Sequence, residues 1–172
     1  MLKDHAKIVH AIDVSGEIVG RKKLQKMIYI AKKISFPFQE RFHFHFYGPY
    51  SEELTLRIEE LCNMGFVSEV KEKKGGYYQY RYRLTDAGKE FLSLNKVDMP
   101  ALAECLVDMN GQNSRFLELV STVLYFHNLS RAEVEEKVFT LKSKQRYTVE
   151  EIDEAYKYIE SLTKMVSGDR PL

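Results

Sequence analysis

The chain has 172 residues, long enough to bury a core without disulfide or metal staples. At 44% hydrophobic and 30% charged residues it is too apolar for a disordered chain, and no uncharged apolar run approaches the ~20 residues of a membrane span. The net charge of +1 excludes nucleic-acid binding through bulk charge, so any such binding needs a local patch.

Met1-Leu2-Lys3-Asp4-His5 leads into no apolar core and cleavage site, so no signal peptide is expected and the expected compartment is the cytoplasm. Ile8, Val9 and Ile12 stand at helical spacing and predict a first helix over Leu2 to Asp13, broken by Ser15-Gly16-Glu17. From Arg21 to Ile34, the positions Leu24, Met27, Ile28, Ala31 and Ile34 form one helical face. Phe36-Pro37-Phe38 ends that helix. Phe42-His43-Phe44-His45-Phe46 alternates, predicting an extended segment with three phenylalanines inward. Gly48-Pro49 predicts a turn, and Ser51 with Glu52 and Glu53 opens a third helix through Leu54, Ile58, Leu61 and Cys62 to Gly65. Two strand-like runs, Phe66–Lys71 and Tyr77–Leu84, flank Gly75-Gly76 as a hairpin. Thr85 caps a following helix. Helices then begin near Asp98-Met99-Pro100, at Ser114, and at two capping boxes, Ser130-x-x-Glu133 and Thr148-x-x-Glu151, with Lys142–Arg146 expected as a basic loop.

Three helices followed by a two-stranded hairpin predict an α+β, mostly helical chain. Residues 1–95 are expected to form a winged-helix-like domain, and residues 96–172 a helical extension packed on it or forming an oligomer interface.

Charge is uneven. Residues 1–48 carry net +5, residues 49–64 net −3, residues 65–90 net +2 and residues 91–172 net −3. In a winged helix the third helix enters the major groove. Here it presents Glu52, Glu53, Glu59 and Glu60 against the single Arg57, the wrong sign to approach phosphates. Cations lie elsewhere: Arg21, Lys22, Lys23 and Lys26 on the second helix, and Lys71, Lys73, Lys74, Arg81 and Arg83 on the hairpin. The leading expectation is therefore a non-enzymatic binding module whose partner is an unidentified protein, with a homodimer also in view. Glu52, Arg57, Glu60, Lys73, Lys74, Arg81 and Arg83 are its candidate contacts. The alternative is a DNA-binding regulator using Arg21, Lys22, Lys23, Lys26 and Lys71 beside the hairpin. On the hairpin, Tyr78, Tyr80 and Tyr82 share one face and are expected to pack, leaving the arginines for a partner.

Catalytic signals are weak. His43 and His45 share a strand face but lack further ligands at selective spacing, so no metal is expected, nor any other cofactor. Cys62 lies on an apolar helix face and reads as core. The chain has no phosphate-binding glycine loop, nucleophile elbow or H-E-x-x-H motif.

Three segments carry a resemblance. Lys23-Leu24-Gln25-Lys26-Met27-Ile28-Tyr29-Ile30-Ala31, Phe46-Tyr47-Gly48-Pro49-Tyr50-Ser51-Glu52-Glu53-Leu54 and Leu61-Cys62-Asn63-Met64-Gly65-Phe66-Val67 resemble the Panacea family of SocA-like, antitoxin-associated proteins. That family pairs a K-L-Q-K-L-x-Y helix with a Y-G-P turn. Here Met27 stands where its leucine is usual, and the similarity covers about residues 21–92. The whole chain also resembles the YwgA-like family of uncharacterised proteins from Bacillus and relatives. These resemblances imply a non-catalytic adaptor with a protein partner such as a toxin or a protease-linked factor. Leu24, Gln25, Tyr47, Gly48 and Pro49 form the structural signature, with Gln25 expected to hydrogen-bond the turn backbone.

Overall fold

The computed structural model describes residues 2–168. The chain runs α1 (Lys3–Ser15), β1 (Ile18–Val19), α2 (Arg21–Lys33), β2 (His43–His45), β3 (Gly48–Tyr50), α3 (Glu52–Asn63), β4 (Val67–Lys74), β5 (Tyr77–Leu84) and α4 (Asp86–Leu94). Helices α5 (Leu102–Asn110), α6 (Ser114–Tyr125), α7 (Arg131–Leu141) and α8 (Val149–Ser167) follow, with a 3-10 turn at Ser143–Gln145. The class is α+β and mostly helical. Residues 169–172 of the expected extension, and Met1, lie outside the described residues.

Helix α2 is the hub. Every residue from Leu24 to Ala31 is buried, two full turns with no solvent face. An amphipathic helix would bury only a stripe. The reason is that α2 is covered on several sides: by α5 and α6 from the C-terminal half and by β1 and β3 from the N-terminal half. Helix α1 packs against α3, α4, α5 and β5, and Ile8, Ile12 and Ile28 are fully buried. One core therefore spans both halves.

Strands β4 and β5 form an antiparallel hairpin in register from Val67 opposite Leu84 to Lys74 opposite Tyr77, turning at Gly75-Gly76. Strand β1 adds to the other edge of β5, placing Ile18 opposite Tyr82, so the order is β1-β5-β4. Only Tyr82 of the hairpin tyrosines is buried. Tyr80 is half-buried, and Tyr78 is exposed because it lies toward the hairpin tip, away from the core. The base of the hairpin is locked to α4. Thr85 Oγ1 donates to the Gly65 carbonyl and accepts from Gly88 N–H. Gly88 sits so close to the Phe66 carbonyl that a Cβ there would lie 2.1 Å from its oxygen.

Two local expectations change. Gly48-Pro49 is not the turn. It lies in β3, antiparallel to β2, with His43 opposite Tyr50 and His45 opposite Gly48, so the two turn residues are Phe46 and Tyr47. Phe42 and Phe44 are half-buried, but Phe46, expected inward, stands 74% exposed at the tip. Helix α5 begins at Leu102 rather than near Asp98, because Ala101 takes a left-handed conformation (φ 71°) that a helix cannot include. Both capping boxes form, at Ser130/Glu133 and Thr148/Glu151.

Candidate functional site

The site grows from the contact between α2 and the β2–β3 hairpin. The Gln25 side-chain amide brackets Ser51: Nε2 donates to the Ser51 carbonyl and Oε1 accepts from its N–H, both at 2.9 Å. Ser51 in turn caps α3 by accepting from Leu54 N–H. One residue further along α2, Lys26 Nζ donates to the Pro49 carbonyl at 2.8 Å. Across the hairpin, Lys142 donates to the Phe46 carbonyl at 2.9 Å and to Glu118 Oε1 at 3.0 Å. Two buried lysines, from opposite ends of the chain, thus clamp the hairpin on both sides of its tip.

Gly48 carries φ 88°, and a Cβ there would lie 3.5 Å from Lys26 Nζ. Burial lowers the Lys26 ammonium to about 8, opposed by Glu118 and reinforced by Lys142 and Lys22.

Beside this clamp lies a pocket of about 190 Å³ between the first turns of α2, Tyr47, α3 and the hairpin. Leu24, Leu54 and Ile58 supply its apolar lining, with the side chains of Tyr47, Tyr50 and Tyr82 around them. The Tyr82 hydroxyl donates to Glu69 at 2.6 Å and accepts from Arg21 Nε at 3.2 Å. Burial first, and then the Glu69 hydrogen bond, push this phenol far above its ordinary range. The Arg21 guanidinium lies 3.6 Å above the Tyr80 ring, and the Lys22 ammonium 3.3 Å from the Tyr47 ring centre.

Several of the cations named from sequence are buried or paired. Lys26, a candidate nucleic-acid contact, is buried, because its position faces the hairpin rather than solvent. Lys23 donates to the Asn110 carbonyl. Arg81 is held by Glu17 and Glu72, and Arg83 lies 3.4 Å from Glu17. Lys74 lies 3.9 Å from Glu72, while Lys73 is exposed and Lys71 sits 4.3 Å above Tyr78.

Helix α3 keeps its negative face. Glu52 and Glu59 are exposed, Glu53 pairs with Arg41 at 2.7 Å, and Glu60 meets His5 at 2.8 Å. Arg57, expected at a partner surface, is instead half-buried against the fully buried Glu40. His43 and His45 are exposed, and no group of three or more His, Cys, Asp or Glu able to hold a metal occurs among the described residues. Cys62 is half-buried, and desolvation raises its thiol to about 11, opposite to the depression a nucleophile needs.

Sequence reasoning missed Lys142, Glu118 and the pocket. Lys142 sits in a basic stretch with no pattern to distinguish it. The aromatic pair Phe46-Tyr47, at a position where hairpins usually carry small polar residues, was the available signal.

No family model matches the chain. It is 64% identical over 165 residues to the uncharacterised protein YwgA of Bacillus subtilis (strain 168), a match covering 96% of this chain and 99% of that protein. The chain belongs to the YwgA family. Because the match is nearly full-length, the family resemblance takes in both halves of the molecule, the C-terminal helices as well as the hub helix and its hairpin. None of the helices among the described residues is long and apolar enough to cross a membrane.

Proposed function

We propose that this chain is a non-catalytic, cytoplasmic binding module that recognises a protein through the face made by the β2–β3 tip, the adjoining pocket and α3. The observation that carries the reading is the state of the charges. The arginines that would grip a phosphate backbone, Arg81 and Arg83, are committed to Glu17 and Glu72, Lys26 is buried, and α3 turns Glu52 and Glu59 to water. Phosphate contacts dominate nucleic-acid affinity, and such a surface supplies few of them.

The element order from α1 to β5, with β1 on the outer edge of β5, supports reading this half as a winged helix whose wing is the β4–β5 hairpin. The Leu24-Gln25-Lys26 and Tyr47-Gly48-Pro49 contacts give a structural reason for the Panacea-like signature, which favours an antitoxin-like role with a toxin as partner. The regulator reading rests on Lys71, Lys73 and Lys74, exposed along the hairpin.

The two readings separate by experiment. Immobilised protein is exposed in parallel to cell lysate and to sheared genomic DNA at 100 mM salt. The module reading expects a discrete protein retained by the wild type and lost with Tyr47→Ser, with DNA washed away. DNA retained by the wild type, lost with Lys73→Glu/Lys74→Glu and unaffected by Tyr47→Ser, would reverse the assignment.

A further inference from the structure

The tip of the β2–β3 hairpin is unusual in composition and in support. Two-residue hairpin turns favour glycine, asparagine and aspartate because of the backbone angles they require. Here both positions are aromatic and both face water, Phe46 at 74% and Tyr47 at 47% exposure, their rings packed edge-on at 5.0 Å. Such exposure contributes nothing to the core. Yet the backbone beneath the two rings is held by Lys142 and Lys26. A side chain presented on a fixed backbone loses little freedom when it is covered, and preordered aromatic anchors are the residues on which binding energy concentrates.

The pocket next to Tyr47 narrows the occupant. Its volume of about 190 Å³ is below the ~300–1,000 Å³ typical of small-molecule sites, and fits a single apolar side chain. The charges around the strip narrow it further. Lys22 lies over Tyr47, and the Lys144 ammonium is 5.9 Å from the Phe46 ring centre. Neither has a carboxylate at ion-pair distance among the described residues. The carboxylates nearby are already engaged: Glu118 with Lys142, and Glu69 with Tyr82 and Arg21. Glu59 is the exception and lies on the α3 side of the pocket. Lys22 beside Tyr47 and Lys144 beside Phe46 therefore leave each ring of the tip with a cation, while Glu59 makes the α3 edge of the pocket anionic.

From this we infer that the face docks an acidic peptide segment of a partner protein. One apolar side chain enters the pocket against Leu54 and Ile58, the backbone crosses Tyr47 and Phe46, and flanking aspartates or glutamates lie against Lys22 and Lys144. The inference rests on the protein-binding reading above and adds the chemistry of what is bound.

The test selects random 12-residue peptides, displayed on phage, against the intact chain at 50 mM salt, and measures the selected peptides by fluorescence anisotropy. The expected consensus is one large apolar residue next to two or more acidic residues. Lys22→Glu, at an exposed position, should weaken binding about fivefold or more, Lys144→Glu about two- to threefold, and 500 mM salt should weaken it similarly. Tyr47→Ser should weaken it more than either. Peptides with neutral or basic flanks whose binding is still lost with Tyr47→Ser would overturn the acidic class and leave the protein-binding reading standing. Failure to select any peptide, or affinities unmoved by Lys22→Glu, would overturn the inference. A duplex oligonucleotide that displaces the selected peptides and loses affinity with Lys73→Glu/Lys74→Glu would overturn the inference and the reading beneath it.

Discussion

Gln25 shows how one side chain can set the position of a whole helix. Its amide satisfies both backbone groups of Ser51, which is fully buried, and Ser51 caps α3. In Gln25→Leu the Ser51 N–H loses its partner in a dry site, while the carbonyl keeps Thr55, an expected loss of about 1–3 kcal/mol from the unfolding free energy by urea titration. A change under 1 kcal/mol would contradict this role. Lys26 supplies a pH signature. Its folded pKa of about 8 lies below the unfolded 10.5, so the unfolded chain holds the proton to higher pH and stability rises as pH climbs through that window. Relative to Lys26→Met, the wild type should gain about 2 kcal/mol between pH 8 and 9.5. Parallel curves for the two proteins would show that the ammonium is not penalised by burial. Gly88 makes a third case. Its backbone is ordinary helix, but the Phe66 carbonyl occupies the place of a side chain, so Gly88→Ala should cost about 3 kcal/mol or more and exceed the cost of Gly48→Ala, where only the positive φ resists. At this scale the sequence was legible only in part: Gln25 could be matched to the segment around Gly48-Pro49, although its bonds go to Ser51 just past it and not to the turn at Phe46-Tyr47. Lys142 could not, since the partner of a lone lysine 96 residues away is set by tertiary packing alone.

Elements with their own start signals were the most readable. Thr85, Asn113, Ser130 and Thr148 each accept a hydrogen bond from the first turn of the helix they open, which is why those helices begin where their side chains dictate. Thr148→Ala should therefore lower stability by about 1 kcal/mol, read as a shifted denaturation midpoint with an unchanged slope. The β2–β3 hairpin was misread for an equally physical reason. Gly-Pro is a strong turn signal, but here Gly48 adopts its positive φ inside a strand and Pro49 presents its carbonyl to Lys26. The turn therefore moves back onto Phe46-Tyr47. The acidic character of α3 was visible from composition, and it remains at Glu52 and Glu59. What composition could not reveal is that Glu17, on the loop after α1, reaches both Arg81 and Arg83 and neutralises one side of the β4–β5 hairpin.

At the scale of the molecule, the hub helix decides how the two halves behave. Helices α5 and α6 cover faces of α2 that would otherwise be exposed, and Lys142, beyond α7, completes the hairpin clamp. The chain should unfold in a single cooperative transition, with calorimetric and van't Hoff enthalpies in agreement, and a fragment of residues 1–95 should not fold alone. Element order suggests two segments meeting near residue 95, but the core that spans both was not legible, because the sequence shows that α2 has an apolar face but not how many neighbours surround it. The function proposed rests on the same scale: a clamped aromatic tip and an apolar pocket are the surface proposed to meet a protein, while the hairpin arginines pair with Glu17 and Glu72. The most direct measurement places a photo-cross-linking phenylalanine derivative at position 47 of the full chain in living cells, with a second copy of the experiment carrying it at exposed Tyr78 on the β4–β5 hairpin. The account predicts a discrete protein adduct from position 47, diminished by Lys22→Glu, and none from position 78. Nucleic acid cross-linked from position 78, with no protein captured from position 47, would contradict it.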